Sequence, residues 1–343
     1  MFRIRTQLLL PLAVFALTVG AEPVSAQPKK APPPPPVTLD AASAEAIKEL
    51  GFNPYDQSAV PLEVEPPVGF KGKKVVLVAG SKSHGPGDHE FFAGTAILAD
   101  LLKQNGVWPV MVRDGWPKHE KVFEGASAIV FYMDGRGGHP VVKNDRLKLL
   151  QKYMDAGVGW VNLHYAVDYL PEHGQTVVGW MGGFYDPRTS INPHWDADIR
   201  SLPKHPIATG VHPFKLRDEW YYNMHWVGDV PDVKDAKGVA PILQAIPPDN
   251  TRGTPDAKKY PGRLETMAWA YDRKDGGRGF GFTGGHFHRN WGNENFRRVV
   301  TNAVLWSAKV ELPEGGAKVA LDPATLNKNL DFKGKAFVKI AAP

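Results

Sequence analysis

The sequence predicts an α/β protein whose mostly parallel sheet is covered by helices on both faces. Segments such as Lys74 to Ala79 and Ala128 to Met133 are near-continuous apolar runs, the pattern of strands buried on two sides. Stretches with helical spacing alternate with these runs, as parallel connections require. Gly or Asn-Gly punctuates most junctions between them.

The elements follow in order. Asp40 opens a helical stretch from Ala41 to Leu50 that Gly51 closes, and Pro-rich chain continues to about Gly69. The first strand, Lys74 to Ala79, lies between Gly72 and Gly80. A Gly-rich loop leads to a helix from about Glu90 to Gln104, with Asp88 as its cap and Asn105-Gly106 as its stop. Trp108 to Val112 and Ala128 to Met133 are the next strands. Asn144 reads as the N-cap of a helix whose Leu147, Leu150 and Met154 share a face, closed by Gly157. Gly159 to His164 is the fourth strand. An aromatic, Pro/Gly-rich excursion then runs to about Asn223. Regular structure returns at Ile242 to Ile246, Thr266 to Tyr271 and Gly279 to Thr283. A last helix spans about Glu294 to Ala308, with Phe296, Val299, Val300, Ala303 and Val304 on one face.

Residues 1–26 have signal-peptide proportions: Arg3 and Arg5, an apolar stretch from Leu8 to Val19, and Val24-Ser25-Ala26 before Gln27. The apolar stretch is short for a bilayer span, and no Cys follows to carry a lipid. We therefore expect a periplasmic or secreted protein without membrane anchoring after cleavage. Its mature chain should begin at Gln27, and the intact mass of exported protein checks this. Residues 27–70 read as a Pro-rich linker and N-terminal arm, 71–310 as the main domain, and 311–343 as a tail wrapping its surface.

Of 343 residues, 43% are hydrophobic and 22% charged, which excludes a multispan membrane protein and wholesale disorder. The absence of Cys excludes disulfides, thiolate metal sites and a Cys nucleophile. The net charge of +5 is spread without a Lys/Arg run, so no nucleic-acid partner is expected. The loop from Gly80 to Glu90 matches neither phosphate-binding fingerprint and carries Asp88 and Glu90, so no nucleotide cofactor is expected.

Ligands of open parallel sheets bind beyond the carboxyl ends of the strands. Five of the twelve histidines fall there in this reading: His84, His89, His139, His164 and His286, with His288 close by. Convergence from four loops points to a functional cluster. Without Cys, imidazole and carboxylate ligands suit zinc or another first-row metal, and His84, His139, His164 and His286 are the candidate ligands. The alternative is a metal-free cluster that only hydrogen-bonds or transfers protons. Asp218-Glu219-Trp220-Tyr221-Tyr222 joins carboxylates to rings, and Trp180, Trp195 and Trp220 lie in irregular chain where indoles can stack on a sugar.

Four motifs in the same order resemble those of ThuA-like (trehalose-utilisation) domains over roughly Lys73 to Ala308. They are Gly157-Val-Gly-Trp-Val-Asn-Leu-His164-Tyr-Ala; Trp180-Met-Gly-Gly-Phe184 with His194; His205-Pro-Ile207 leading to Asp218-Glu219-Trp-Tyr221; and Gly279 to His286. The resemblance implies a flavodoxin-like three-layer sandwich of the class I glutamine amidotransferase-like superfamily and a link to carbohydrate metabolism. In glutamine amidotransferases a Cys nucleophile occupies the turn where this chain has His164, so thiol amidotransferase chemistry is excluded. His286 matches the later catalytic His of that fold.

Two functions remain open at this stage. One is an enzyme acting on a sugar or keto-sugar derivative, with His164, His286 and Glu219 catalytic and a divalent metal as possible cofactor. Trp195, Trp220, Tyr221, Asp218 and His194 would bind its substrate. The other is a non-catalytic periplasmic carbohydrate-binding protein.

Overall fold

The computed structural model describes residues 40–343; the expected signal segment and the proline run lie outside the described residues. The elements are α1 Ala41–Leu50, β1 Lys74–Ala79, α2 Phe91–Gln104, β2 Trp108–Val112, β3 Ala126–Tyr132, α3 Arg146–Asp155, β4 Gly159–Leu163, α4 Pro171–Met181, β5 Gly183–Phe184, β6 His194–Ile199, β7 Phe214–Glu219, β8 His225–Trp226, β9 Val239–Ala245, β10 Glu265–Asp272, β11 Arg278–Phe282 and α5 Glu294–Ser307.

Seven strands form one sheet in the order β2-β1-β3-β4-β11-β10-β9. The first five run parallel, and β10 and β9 extend the sheet antiparallel. The period-2 geometry of β1 sorts its side chains between two cores. Val75 and Leu77 face α2 and α5 through Phe91, Leu98, Phe296 and Val300. Val76 and Val78 belong to the opposite core, with Leu150 of α3 and Val177 and Met181 of α4. The result is the expected three-layer sandwich.

Two local expectations fail. Asn144 does not cap α3, because both it and Asp145 take left-handed backbone, with φ of 52° and 57°, and make a turn instead. Asp88 does not cap α2, whose first residue follows Glu90; Asp88 instead pairs in a bridge with Phe287. The excursion after β4 contains α4 and two antiparallel pairs, β5 with β8 and β6 with β7. The tail packs tightly: Leu330 and Phe337 are buried against Ala93 of α2 and the arm residue Tyr55.

The chain passes from β1 outward to β2 and returns to β3 on the other side of β1. The crevice between β1 and β3 is therefore the topological switch point, where ligands of such sheets bind.

Candidate functional site

The loops after β1, β3, β4 and β11 meet above this crevice, and the β6–β7 ribbon supplies the remaining wall. His89 comes from the loop after β1, His164 from the residue after β4, and His286 from the turn after β11, while Glu219 ends β7. His84, His89 and His164 hold left-handed backbone at φ 57°, 47° and 55°. Such backbone costs a non-glycine residue on the order of 1–3 kcal/mol and concentrates at functional sites. At His164 it turns the chain sharply off the strand.

His89 Nε2 lies 3.0 Å from His164 Nε2 and 3.0 Å from His286 Nδ1. Glu219 Oε2 stands 3.1 Å from His286 Nδ1 and 3.5 Å from His164 Nε2. These four donor atoms all lie within 4.8 Å of one another. The outward nitrogens of two rings are committed elsewhere. His164 Nδ1–H donates to the Thr283 carbonyl at 2.9 Å, and His89 Nδ1–H to Asp134 Oδ1 at 2.9 Å. A carbonyl and a carboxylate only accept, so each ring carries its proton there and turns a lone pair inward. His89 Nε2 and His164 Nε2 thus face each other as two acceptors with no hydrogen between them.

Burial, then the charges of His84 and His286, lower His89 to about 2. Burial and His89 likewise hold His164 well below 6.5. His286 behaves oppositely: burial disfavours its charge, but hydrogen bonding to Asp88 and Glu219 outweighs this and raises it to about 9. Burial would raise Glu219, yet His286 and His164 keep it below the usual carboxylate range. The group therefore concentrates one imidazolium and one carboxylate among neutral imidazole lone pairs. Tyr221 O–H sits 3.4 Å from Glu219 Oε2 and 3.5 Å from His164 Nε2. Burial, then Glu219, raises its pKa far above the ordinary value, so the phenol keeps its proton.

The other residues singled out from the sequence fall in different places. His84 is exposed at the rim, its ring 3.6 Å from that of His89, and forms with His89 and Asp134 a smaller group of ligating side chains. His194 is also at the rim, its ring 4.7 Å from that of His286. His139 is not in the cluster: it is fully buried, stacked on Tyr169 at 4.6 Å, and bonded to Ala166 O and Val141 N. Trp195 and Trp220 cannot stack on a ligand, being 2% and 0% exposed, with their indole N–H groups donating to the carbonyls of Trp220 and Leu216. Trp180 packs on Trp160 in the core. Asp218 is buried too, and binds the chain rather than a substrate: its carboxylate accepts from Gly285 N, His286 N and Asn290 Nδ2. Half-buried Tyr165, whose ring centre is 6.1 Å from that of His89, and exposed Asn192, which donates to Glu219 Oε1, flank the cluster instead.

His139 supplies a pH-dependent test. Burial holds it at about 3, below the 6.5 of an unperturbed imidazole. The unfolded chain therefore binds the proton first, and stability is lost as pH falls through 6.5 towards 3, by up to about 1.4 kcal/mol per unit. His139→Phe retains the stacked ring, and should give a flatter dependence of unfolding free energy on pH between 6.5 and 4 than the wild type.

The model of the ThuA family, described as trehalose utilisation, matches residues 74–307. The chain belongs to the ThuA family. This membership links it to trehalose utilisation. Among solved structures, this ThuA-family chain is similar to a ThuA-like protein from Bacteroides uniformis at 15% identity and a TM-score of 0.49, covering 71% of this chain and 95% of that one. PurLQS from Thermotoga maritima is more distant, at 13% identity and a TM-score of 0.37, covering 69% of this chain and 98% of that one. No curated protein matches the chain. The ThuA match contains every member of the cluster and ends before the tail that packs beside it.

Proposed function

We propose that this ThuA-family protein is an exported enzyme acting on a sugar or keto-sugar derivative. Its reaction would depend on one divalent metal held by His89, His164, His286 and Glu219. The observation that carries this reading is the pair of imidazole lone pairs facing each other at 3.0 Å, an arrangement that a cation between them relieves. The donor chemistry fits once the His286 imidazolium gives up its Nδ1 proton, the exchange of proton for metal that histidine ligation requires. Zinc takes imidazole nitrogen and carboxylate oxygen as ligands. The four donor atoms lie within 4.8 Å of one another, with the closest approaches at 3.0 Å. Asp134 and the Thr283 carbonyl orient two of the rings from behind, as supporting partners of metal-bound histidines do.

When bound, the metal would act as a Lewis acid on a carbonyl or hydroxyl oxygen that enters as a further ligand beside the four side chains. The chain's own groups supply the rest. Tyr221 keeps its proton and can donate a hydrogen bond to an oxygen gaining charge. Glu219, ionised and held at its other oxygen by Asn192, can orient a substrate hydroxyl or take its proton. Tyr165 and His194 at the rim offer ring faces and a polar edge to a sugar.

Elemental analysis of untagged protein tests the metal, and calorimetry and product analysis against glucosides and 3-keto-glucosides test the reaction. Near-stoichiometric metal with substrate turnover is expected. Turnover by metal-free protein would remove the metal and leave His286 and Glu219 as an acid–base pair. Sugar binding without any change in the sugar would identify a binding protein instead.

A further inference from the structure

We propose that Lys333, in the tail beyond the family match, is a positioning residue for the histidine cluster. It holds the turn from Gly85 to His89 in the conformation that sends His89 inward.

The turn has reason to need a tether. His84, Gly87 and His89 all have positive φ, and only one of the three is glycine. Lys333 Nζ reaches beneath it, donating to the Gly85 carbonyl at 3.1 Å and to the Asp88 carbonyl. The same ammonium pairs with Glu90 Oε1 at 3.1 Å, the two side chains being 3% and 1% exposed. Glu90 completes the clamp: its carboxylate accepts from Gly87 N at 3.0 Å and from Asp331 N at 2.8 Å. Turn, helix start and tail are thus joined through one buried ion pair. Such a pair is a weak source of stability, because desolvating both charges offsets their attraction, and geometric specification is a better account of it. Here the geometry specified is that of a turn bearing His84 and His89 at its two ends. A cleft of about 350 Å³ between this turn and the tail, lined by Lys82, Ser83, His84, Phe332, Lys333 and Gly334, opens beside the rim histidine. The tail therefore contributes a wall as well as a tether.

Lys333→Met keeps the length of the side chain and removes its charge and donors. Because that change leaves the Glu90 carboxylate unpaired, the double variant Lys333→Met/Glu90→Gln is measured beside it and keeps the test valid if the single variant does not fold. Two readouts are taken on folded protein. Amide hydrogen exchange should accelerate at residues 85–90 while the sheet strands remain protected. Zinc affinity, by competition with a chelating indicator, should fall roughly 10–100-fold, the range for losing a supporting partner, and the visible spectrum of the cobalt(II)-loaded protein should change. Unchanged exchange at residues 85–90, or wild-type affinity and cobalt spectrum, overturns the proposal. The second readout rests on the metal reading above. If wild-type protein takes up no zinc, that reading fails by itself, and exchange alone decides the role of Lys333.

Discussion

His89→Ala should abolish stoichiometric metal binding and, with it, turnover. His89 is the hub of the cluster, with Nε2 at 3.0 Å from donor atoms of both other histidines. Removing its ring deletes a proposed ligand and also leaves a hole that water can enter. The loss of affinity should exceed the roughly 10–100-fold expected when a supporting partner is removed, and Asp134→Asn supplies that milder comparison because it weakens the hold on His89 Nδ1 and on the neighbouring Ser83 hydroxyl while leaving every ring in place. Equilibrium dialysis with zinc ranks the wild type, Asp134→Asn and His89→Ala in that order. Wild-type affinity in His89→Ala would exclude the proposed ligand set. The fold should survive, since His89 lies in the loop after β1 and belongs to neither sheet core.

Asp218→Asn should be far more damaging to stability than its single-atom change suggests. The carboxylate is fully buried and accepts from Gly285 N at 2.6 Å, His286 N at 3.0 Å, Asn290 Nδ2 at 2.8 Å and the N–H of Glu219 at 2.9 Å. Burial pushes its pKa up, and these donors pull it down. An amide has one acceptor oxygen, so at least one buried N–H would face an NH2 group and lose its partner. Unmade buried hydrogen bonds cost about 1–3 kcal/mol each, and those to a charged group lie at the upper end. A loss of about 2–4 kcal/mol is expected, read as a lower midpoint in urea with unchanged m. The turn that Asp218 anchors carries Gly285, at φ 112°, and then His286, so metal affinity should fall in parallel. Wild-type stability would show that the turn is held by other contacts.

The sheet was largely legible because its strands are buried on both faces and so announce themselves as apolar runs between glycines. The predicted bounds of β1 and β2 match those observed. The helix α4 was not legible. Its sequence lies inside the Pro/Gly-rich excursion, where Gly174 is required by packing, since a Cβ there would lie 2.3 Å from the Phe184 ring. The histidine edge could be read from topology, because residues following parallel strands share one end. Which of those histidines turn inward could not. His139 and His89 both sit in loops after neighbouring strands, but the first is drawn into the core by Tyr169 and the second is aimed at His164. Spacing carries no trace of that difference. The tryptophans misled for a related reason: irregular sequence suggested an open wall, but Trp195 lies on the inward-facing side of the β6–β7 ribbon. Lys333 gave no signal, since one lysine in a weakly patterned tail looks like any solvated charge.

The pairing of Lys333 with the Gly85–Glu90 segment also has a consequence in time. A chain made from its amino end completes every strand of the sheet, and the last helix, before Lys333 exists. Every strand and the last helix have therefore been made while the first histidine-bearing turn is still untethered. Competence would then arrive only once Lys333 has been made and has docked under the turn. In this arrangement the segment around Lys333 acts as a late check on the first histidine-bearing turn the domain makes.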